Sequence, residues 1–247
     1  MARQVTSCTV PHNADPVLLL TRPAAAGERF LAEMGAELAG VDIVKSPVIG
    51  IEQLAPALPD IRPEALILTS ENGAEAAARL GLAPMRAHVV GPRTAEVARG
   101  LGFDPAPPVP DAEALLALLL ALRPKGPLLH VRGKHASGAV GPRLNEAGIP
   151  VVELVAYAQH ALAPSDEALA LLAGGRPVVL PLFSPRSAVL VAGWATPHAP
   201  VHVAAISAAA AGRSAGIRPS SMTIAETPDG PGMAAATRLA LVRAREG

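Results

Sequence analysis

Ala65-Leu-Ile-Leu-Thr-Ser-Glu-Asn72 and Val178-Val-Leu-Pro-Leu-Phe-Ser-Pro185 decide how this chain folds, because they read as two copies of one unit. Each is a short unbroken apolar run that ends near a hydroxyl residue. The first copy continues through His88-Val-Val-Gly91 to Leu101-Gly-Phe103, the second through His202-Val-Ala-Ala-Ile-Ser207 to Ala215-Gly-Ile217. Ser70 to Gly91 spans 21 positions and Ser184 to Ser207 spans 23, so the copies have similar lengths. Self-similarity of this kind is a stronger guide to architecture than local propensity. Runs without polar alternation suit strands covered by helices on both faces, and therefore parallel sheets.

A second pair of segments repeats as well. Val17-Leu-Leu-Leu-Thr-Arg-Pro23 leads through a helical stretch to Gly35 and a strand ending at Lys45, and Leu128-Leu-His-Val-Arg-Gly133 leads likewise to Gly148 and a strand ending near Tyr157. Strands are expected at Val17–Leu20, Val41–Lys45, Ala65–Leu68, His88–Val90, Leu128–Val131, Val151–Val155, Val178–Leu182 and Val201–Ile206. Helices are expected at Ala24–Met34, Ala74–Arg79, Thr94–Arg99, Glu113–Leu122, Gly141–Ala147 and Ser165–Leu172.

The two unit types alternate along the chain, and each domain needs one of each. Sequential pairing would divide the chain near residue 125. Nested pairing makes one domain from 1–46 plus 161–247 and inserts the other, 47–160, with crossings near Ser46-Pro47 and Ala163-Pro164. Strands that run into Pro or Gly at both crossings suit a two-strand hinge, which favours nesting. The fold class read from these patterns is α/β: two doubly wound parallel-sheet domains, flavodoxin-like, one inserted in the other.

Composition removes several function classes. The 247 residues carry 21 Lys+Arg against 21 Asp+Glu, are 50% hydrophobic and only 2% aromatic. Zero net charge argues against binding nucleic acid mainly through phosphates, and the few aromatics supply no platform for stacked bases. The single cysteine, Cys8, allows neither an intramolecular disulfide nor a cysteine metal cage. No pair among His88, His130 and His202 has metal-ligand spacing, and no glycine-rich phosphate loop follows a strand. The longest apolar stretch, Ala112 to Leu122, is too short for a bilayer. The first 16 residues have no continuous apolar run of the secretory kind and read as a frayed leader. A cytoplasmic protein, monomeric and away from membrane and nucleic acid, is expected.

The order of Leu20-Thr-Arg-Pro23, Leu68-Thr-Ser-Glu-Asn72, Val90-Gly-Pro-Arg-Thr-Ala95, Leu101-Gly-Phe103, Val131-Arg-Gly133, Val155-Ala-Tyr157 and Phe183-Ser-Pro185 resembles the uroporphyrinogen-III synthase family over about Val17 to Leu241. The resemblance implies two α/β domains, one inserted in the other, and a cofactor-free, metal-free lyase. Its implied substrate is hydroxymethylbilane, a linear tetrapyrrole bearing acetate and propionate groups. Loss of the hydroxyl gives an azafulvene, attack by the substituted carbon of ring D gives a spiro intermediate, and reclosure leaves ring D inverted in uroporphyrinogen III. The resemblance assigns the catalytic position to Tyr157, as a hydrogen-bond donor to the departing hydroxyl.

A polyanionic substrate calls for N–H donors and arginine at the C-terminal ends of strands, where helices begin. The turns that fit are Thr69-Ser70-Glu71-Asn72, Gly91-Pro92-Arg93-Thr94, Arg132-Gly133-Lys134 and Ser184-Pro185-Arg186, together with Arg22 and Ser207. They are expected to cradle carboxylates along an interdomain groove, and the same hydroxyls also suit plain helix N-caps. The turn at Ser207 departs from the family by being shorter and followed by alanines and Gly212. An alternative of a different class is a non-catalytic two-domain binder of small anions.

Overall fold

The computed structural model describes residues 15–135, 138–194 and 196–246. Cys8, His12 and Asn13 lie outside the described residues, whereas the backbone carbonyl of Asp15 accepts a 2.9 Å hydrogen bond from Arg176. In chain order the strands are β1 (Val17–Leu20), β2 (Asp42–Lys45), β3 (Ile49–Gln53), β4 (Ala65–Leu68), β5 (Arg86–Val89), β6 (Asp104–Pro105), β7 (Leu128–Gly133), β8 (Val151–Ala161), β9 (Val178–Leu182), β10 (Val201–Ala205) and β11 (Ser221–Ile224). The α-helices are α1 (Ala24–Met34), α2 (Glu71–Arg79), α3 (Pro92–Gly100), α4 (Ala112–Leu122), α5 (Val140–Glu146), α6 (Asp166–Ala173), α7 (Pro185–Ala192), α8 (Ala208–Arg213) and α9 (Gly230–Glu246).

The chain divides into two compact units, 1–50 with 161–247 and 51–160. The first contains a five-stranded sheet in the order β11-β10-β9-β1-β2, with each pair parallel. Counted along its own chain this is 2-1-3-4-5 read from the β2 edge, the flavodoxin-like order. The other sheet runs β3-β8-β7-β4-β5-β6. Its β8-β7-β4-β5-β6 portion is parallel throughout. That portion has the same spatial order, entered at a different point: β7 and β8 take the places of β1 and β2, and β4, β5 and β6 those of β9, β10 and β11. The repeat read in the sequence is therefore a repeat in space with a permuted chain. β3 pairs with the long β8; Leu162 N–H donates to the Val48 carbonyl and Leu54 N–H to that of Ala156, so this pair is antiparallel.

Each sheet is covered on both faces, which is why its strands are apolar without alternation. All four residues of β1 and of β4 are buried. In the first unit one core layer lies between the sheet and α6 to α8, including Leu19, Val178, Leu180 and Val203. The other joins Leu18, Leu20 and Val179 to α1 and α9. In the second unit Leu66, Leu68, Leu129 and Val131 face α2 and α3, while Ala65, Ile67 and Leu128 face α4 and α5. Burying a leucine completely contributes about 1.5–3 kcal/mol.

Helix starts follow the hydroxyl residues that end the strands. Ser70, Ser184 and Ser207 cap α2, α7 and α8, each accepting the N–H three residues on. The helices begin earlier than their apolar patterns suggest, α2 at Glu71 and α3 at Pro92, since first-turn residues face outward and carry no apolar signal. The short β6 and the half-exposed β11 have the same explanation, while β8 extends well past Val155.

Gly73, in the first turn of α2, lets this helix approach β7 closely: a Cβ there would lie 2.8 Å from the Val131 carbonyl oxygen. Gly→Ala inside a helix ordinarily gains up to about 1 kcal/mol. Gly73→Ala is expected to reverse that sign and destabilise the protein by about 1–3 kcal/mol, read as a lower denaturation midpoint in urea.

Candidate active site

In the inserted unit the strand order reverses between β7 and β4, and ligands of open α/β sheets bind outside the carboxyl ends of strands at such a point. Three polypeptide segments meet there: the Thr69–Ser70 turn after β4, the Arg132–Lys134 end of β7, and Tyr157 of β8. The Tyr157 hydroxyl lies 2.8 Å from Ser70 Oγ. Ser70 Oγ also accepts the Gly73 N–H at 3.2 Å. Tyr157 is 6% exposed and packs in the α2–α3 core layer. One edge of its ring lies against Gly133, where a Cβ would come within 2.6 Å of it. A slip in pairing between Arg132 and Gly133 brings Gly133 opposite Tyr157, and Lys134 N–H donates to the Tyr157 carbonyl at 2.8 Å.

Arg132 points to the other side of the same sheet. Its Nη2 donates to Glu153 Oε2 at 3.0 Å, and its Nε stands 2.9 Å from Oε1, an ion pair outside hydrogen-bond geometry. Its Nη1 donates to the carbonyls of Gly133 at 2.9 Å and Lys134 at 3.3 Å. Beneath it, His130 is 1% exposed and directly opposite Glu153 in the β7–β8 register. Its Nδ1 is 3.5 Å from Glu153 Oε1, and neither ring nitrogen has a hydrogen-bond partner. Burial pushes the imidazole down to about 4, with Glu153 opposing and Arg132 adding to that shift. With Lys134, these residues line a hollow of about 330 Å³ beside α5.

The remaining expected residues are distributed over both units. Asn72 lies in the first turn of α2. Gly91 caps α3 with Pro92 in its first turn, but the Gly91 N–H is committed to the Val109 carbonyl at 2.8 Å, leaving later first-turn N–H groups as the donors of that turn. Arg93 pairs with Glu96 at 2.6 Å and lies 3.6 Å from Glu71. Thr94 is buried. In the other unit, Arg22 stacks 3.9 Å over the Phe183 ring, which meets Phe30 edge-on at 4.9 Å. Ser184 caps α7, followed by Pro185, and Ser207 caps the six-residue α8. The shortened turn at Ser207 thus still starts a helix.

Sequence reasoning missed Glu153 and Phe183. Glu153 had a readable signal: His130 and Glu153 are polar residues inside apolar runs of paired strands, where burial forces them to meet. Phe183 left no such trace. Among the described residues, no cluster of three or more His, Cys, Asp or Glu side chains could hold a metal, and no helix is long and apolar enough to cross a membrane.

Polar turns and capped helices at the switch point of a doubly wound sheet are the binding architecture of α/β proteins that take small anionic molecules. The model of the uroporphyrinogen-III synthase HemD family matches residues 32–235, and the chain belongs to that family, whose members are cyclising lyases of tetrapyrrole synthesis acting on hydroxymethylbilane. The fold is that of uroporphyrinogen-III synthetase from Helicobacter pylori, with 16% identity, a TM-score of 0.64, and 93% of this chain and 100% of that one covered. A mutant uroporphyrinogen III synthase from the extremely thermophilic bacterium Thermus thermophilus matches with 18% identity, a TM-score of 0.50, and 92% and 99% coverage. No curated protein sequence matches significantly.

The buried His130 makes stability depend on pH. Between its ordinary value of 6.5 and about 4, the unfolded chain binds a proton that the folded chain refuses, so stability falls as pH drops through this window. His88 and His202, also lowered mainly by burial, act in the same direction. His130→Leu is expected to flatten, without abolishing, the slope of denaturation midpoint against pH between 6.5 and 4.

Proposed function

We propose that this chain closes hydroxymethylbilane to uroporphyrinogen III with inversion of ring D, using Tyr157 as the proton donor to the departing hydroxyl. The observation that carries this reading is the Tyr157–Ser70 pair at the switch point of the inserted unit. Two hydroxyls that share one hydrogen bond hold two hydrogens and use one between them. With one Ser70 lone pair taken by Gly73 N–H, Ser70 can donate to the phenol oxygen, which leaves the phenol hydrogen for the substrate. The C–O bond of the hydroxymethyl group then breaks, the oxygen leaves as water with the phenol's proton, and the pyrrole nitrogen electrons form the azafulvene as the ring gives up its N–H proton. Ser70 stabilises the tyrosinate until a proton returns. Attack by the substituted carbon of ring D, fragmentation and reclosure give the inverted ring.

The carboxylates of the substrate are taken, in this reading, by the strand-end turns of each unit. Arg93 and Lys134 with the first turns of α2 and α3 serve in one, and Arg22 with Ser184, Pro185, Ser207 and the first turn of α7 in the other. Thr69, Asn72, Gly91, Pro92, Thr94 and Gly133 shape these turns. Arginine suits the task because its planar fork grips a carboxylate with two hydrogen bonds. The same reading includes a monomer at work in the cytoplasm, folded as two nested domains that need no cofactor.

Incubation with hydroxymethylbilane, followed by oxidation and separation of porphyrin isomers, tests it. Type III product is expected, and folded protein yielding only the spontaneous type I isomer overturns it in favour of the anion binder. Tyr157→Phe is expected to lower kcat by about 10²-fold, and unchanged turnover removes the tyrosine from the chemistry.

A further inference from the structure

We propose that Glu153 and Arg132 form a clamp that positions the Tyr157 hydroxyl, and that Arg132 serves the site through this clamp and not as a carboxylate ligand. The proposal deepens the reading of Tyr157 given above and rests on it for its catalytic consequence.

The geometry points this way from three sides. First, the guanidinium is held by the protein through hydrogen bonds from Nη1 and Nη2, while its buried Nε meets Glu153 as an ion pair outside hydrogen-bond geometry. One edge engages both Glu153 oxygens and the remaining nitrogen reaches the carbonyls of Gly133 and Lys134. An arginine so engaged has little donor capacity left for a substrate carboxylate. Secondly, the clamp and the tyrosine lie on opposite faces of one sheet: Tyr157 packs in the α2–α3 layer, and Arg132 lines the hollow beside α5. Thirdly, what joins the two faces is the backbone of Gly133 and Lys134. Arg132 fixes its carbonyls from one side, while the Tyr157 ring lies on Gly133 and the Tyr157 carbonyl accepts the Lys134 N–H on the other.

Glu153 is the fixed point of this chain. It is a carboxylate near the start of β8, its side chain pressed against α5, where a Cβ on Gly141 would come within 2.8 Å of Oε1. His130 beside it is neutral near pH 7 and so does not compete with Arg132 for the carboxylate. If the carboxylate is removed, the guanidinium is free to leave the two carbonyls, the turn at Gly133 relaxes, and the ring loses the bed that aims its hydroxyl at Ser70.

Because Tyr157 is the only tyrosine, full-length protein labelled with 3-fluorotyrosine has one ¹⁹F resonance that reports this ring. Glu153→Gln and Arg132→Lys are expected to shift or split it, and Glu153→Ala with Arg132→Ala together should change it no more than the larger single effect. Turnover of hydroxymethylbilane by the same variants is expected to fall about tenfold in kcat with KM within twofold. The double variant should again be no worse than the worse single, since residues acting as one unit are not additive. In a Tyr157→Phe background the clamp variants should have no further effect on kcat. Arg132→Lys raising KM about tenfold at unchanged kcat, or a ¹⁹F line indifferent to Glu153→Gln, overturns the proposal. Wild-type protein that makes no type III isomer, with the ¹⁹F shift present, overturns the functional reading and leaves the clamp standing.

Discussion

The pairing of β4 with β7 is the contact on which the inserted unit depends. Ala65 sits opposite Leu128 and Ile67 opposite His130, so segments far apart in the chain must meet before either can be covered by helices. Once they pair, the ends of both strands lie side by side and the rest follows from close approach. Gly73 allows α2 to sit on the Val131 carbonyl, and Gly133 allows the Tyr157 ring to lie on the end of β7. Ser70 then has two duties, as cap of α2 and partner of the phenol. Apolar burial forms this junction, and two glycines decide how tight it is.

The α/β class and the paired unit types could be read in the sequence because continuous apolar runs have one economical use, as strands buried on both faces. β1, β4 and β9 were legible to the residue for that reason. What escaped was whatever burial does not announce: first helical turns, the brief β6, and β11, whose pattern is only partly buried. The candidate site divides the same way. Ser70, Ser184 and Ser207 stand where a hydroxyl follows a strand, which is a local signal. That Ser70 meets Tyr157 depends on a slip in the β7–β8 register, and no local pattern encodes such a slip. Arg132 read as a free cation, because its partner, Glu153, is adjacent only across the strand pair.

The repeat also shows how one framework takes two uses. Ser70 corresponds to Ser184, and the registers of Leu128 with Ala65 and of Leu18 with Val179 then place Arg22 on Arg132. In one copy the arginine grips a carboxylate in the neighbouring strand. In the other it lies on an aromatic face, where a cation–π contact contributes about 0.5–2 kcal/mol. Only 2% of the residues are aromatic, and two of them meet here, Phe183 under the arginine and Phe30 edge-on against Phe183.

The permuted order of the strands also sets a timetable during synthesis. The inserted unit has all its strands once residue 160 has left the ribosome, so it can fold while the chain is still growing. β1 cannot: its partner β9 is made some 160 residues later. Until then the fully apolar Val17-Leu-Leu-Leu20 has β2 on one side and an open edge on the other, the kind of strand that pairs with other chains. A nascent protein of this design is most vulnerable to aggregation at its first strand, and a chaperone that covers its first fifty residues would protect the part that waits longest.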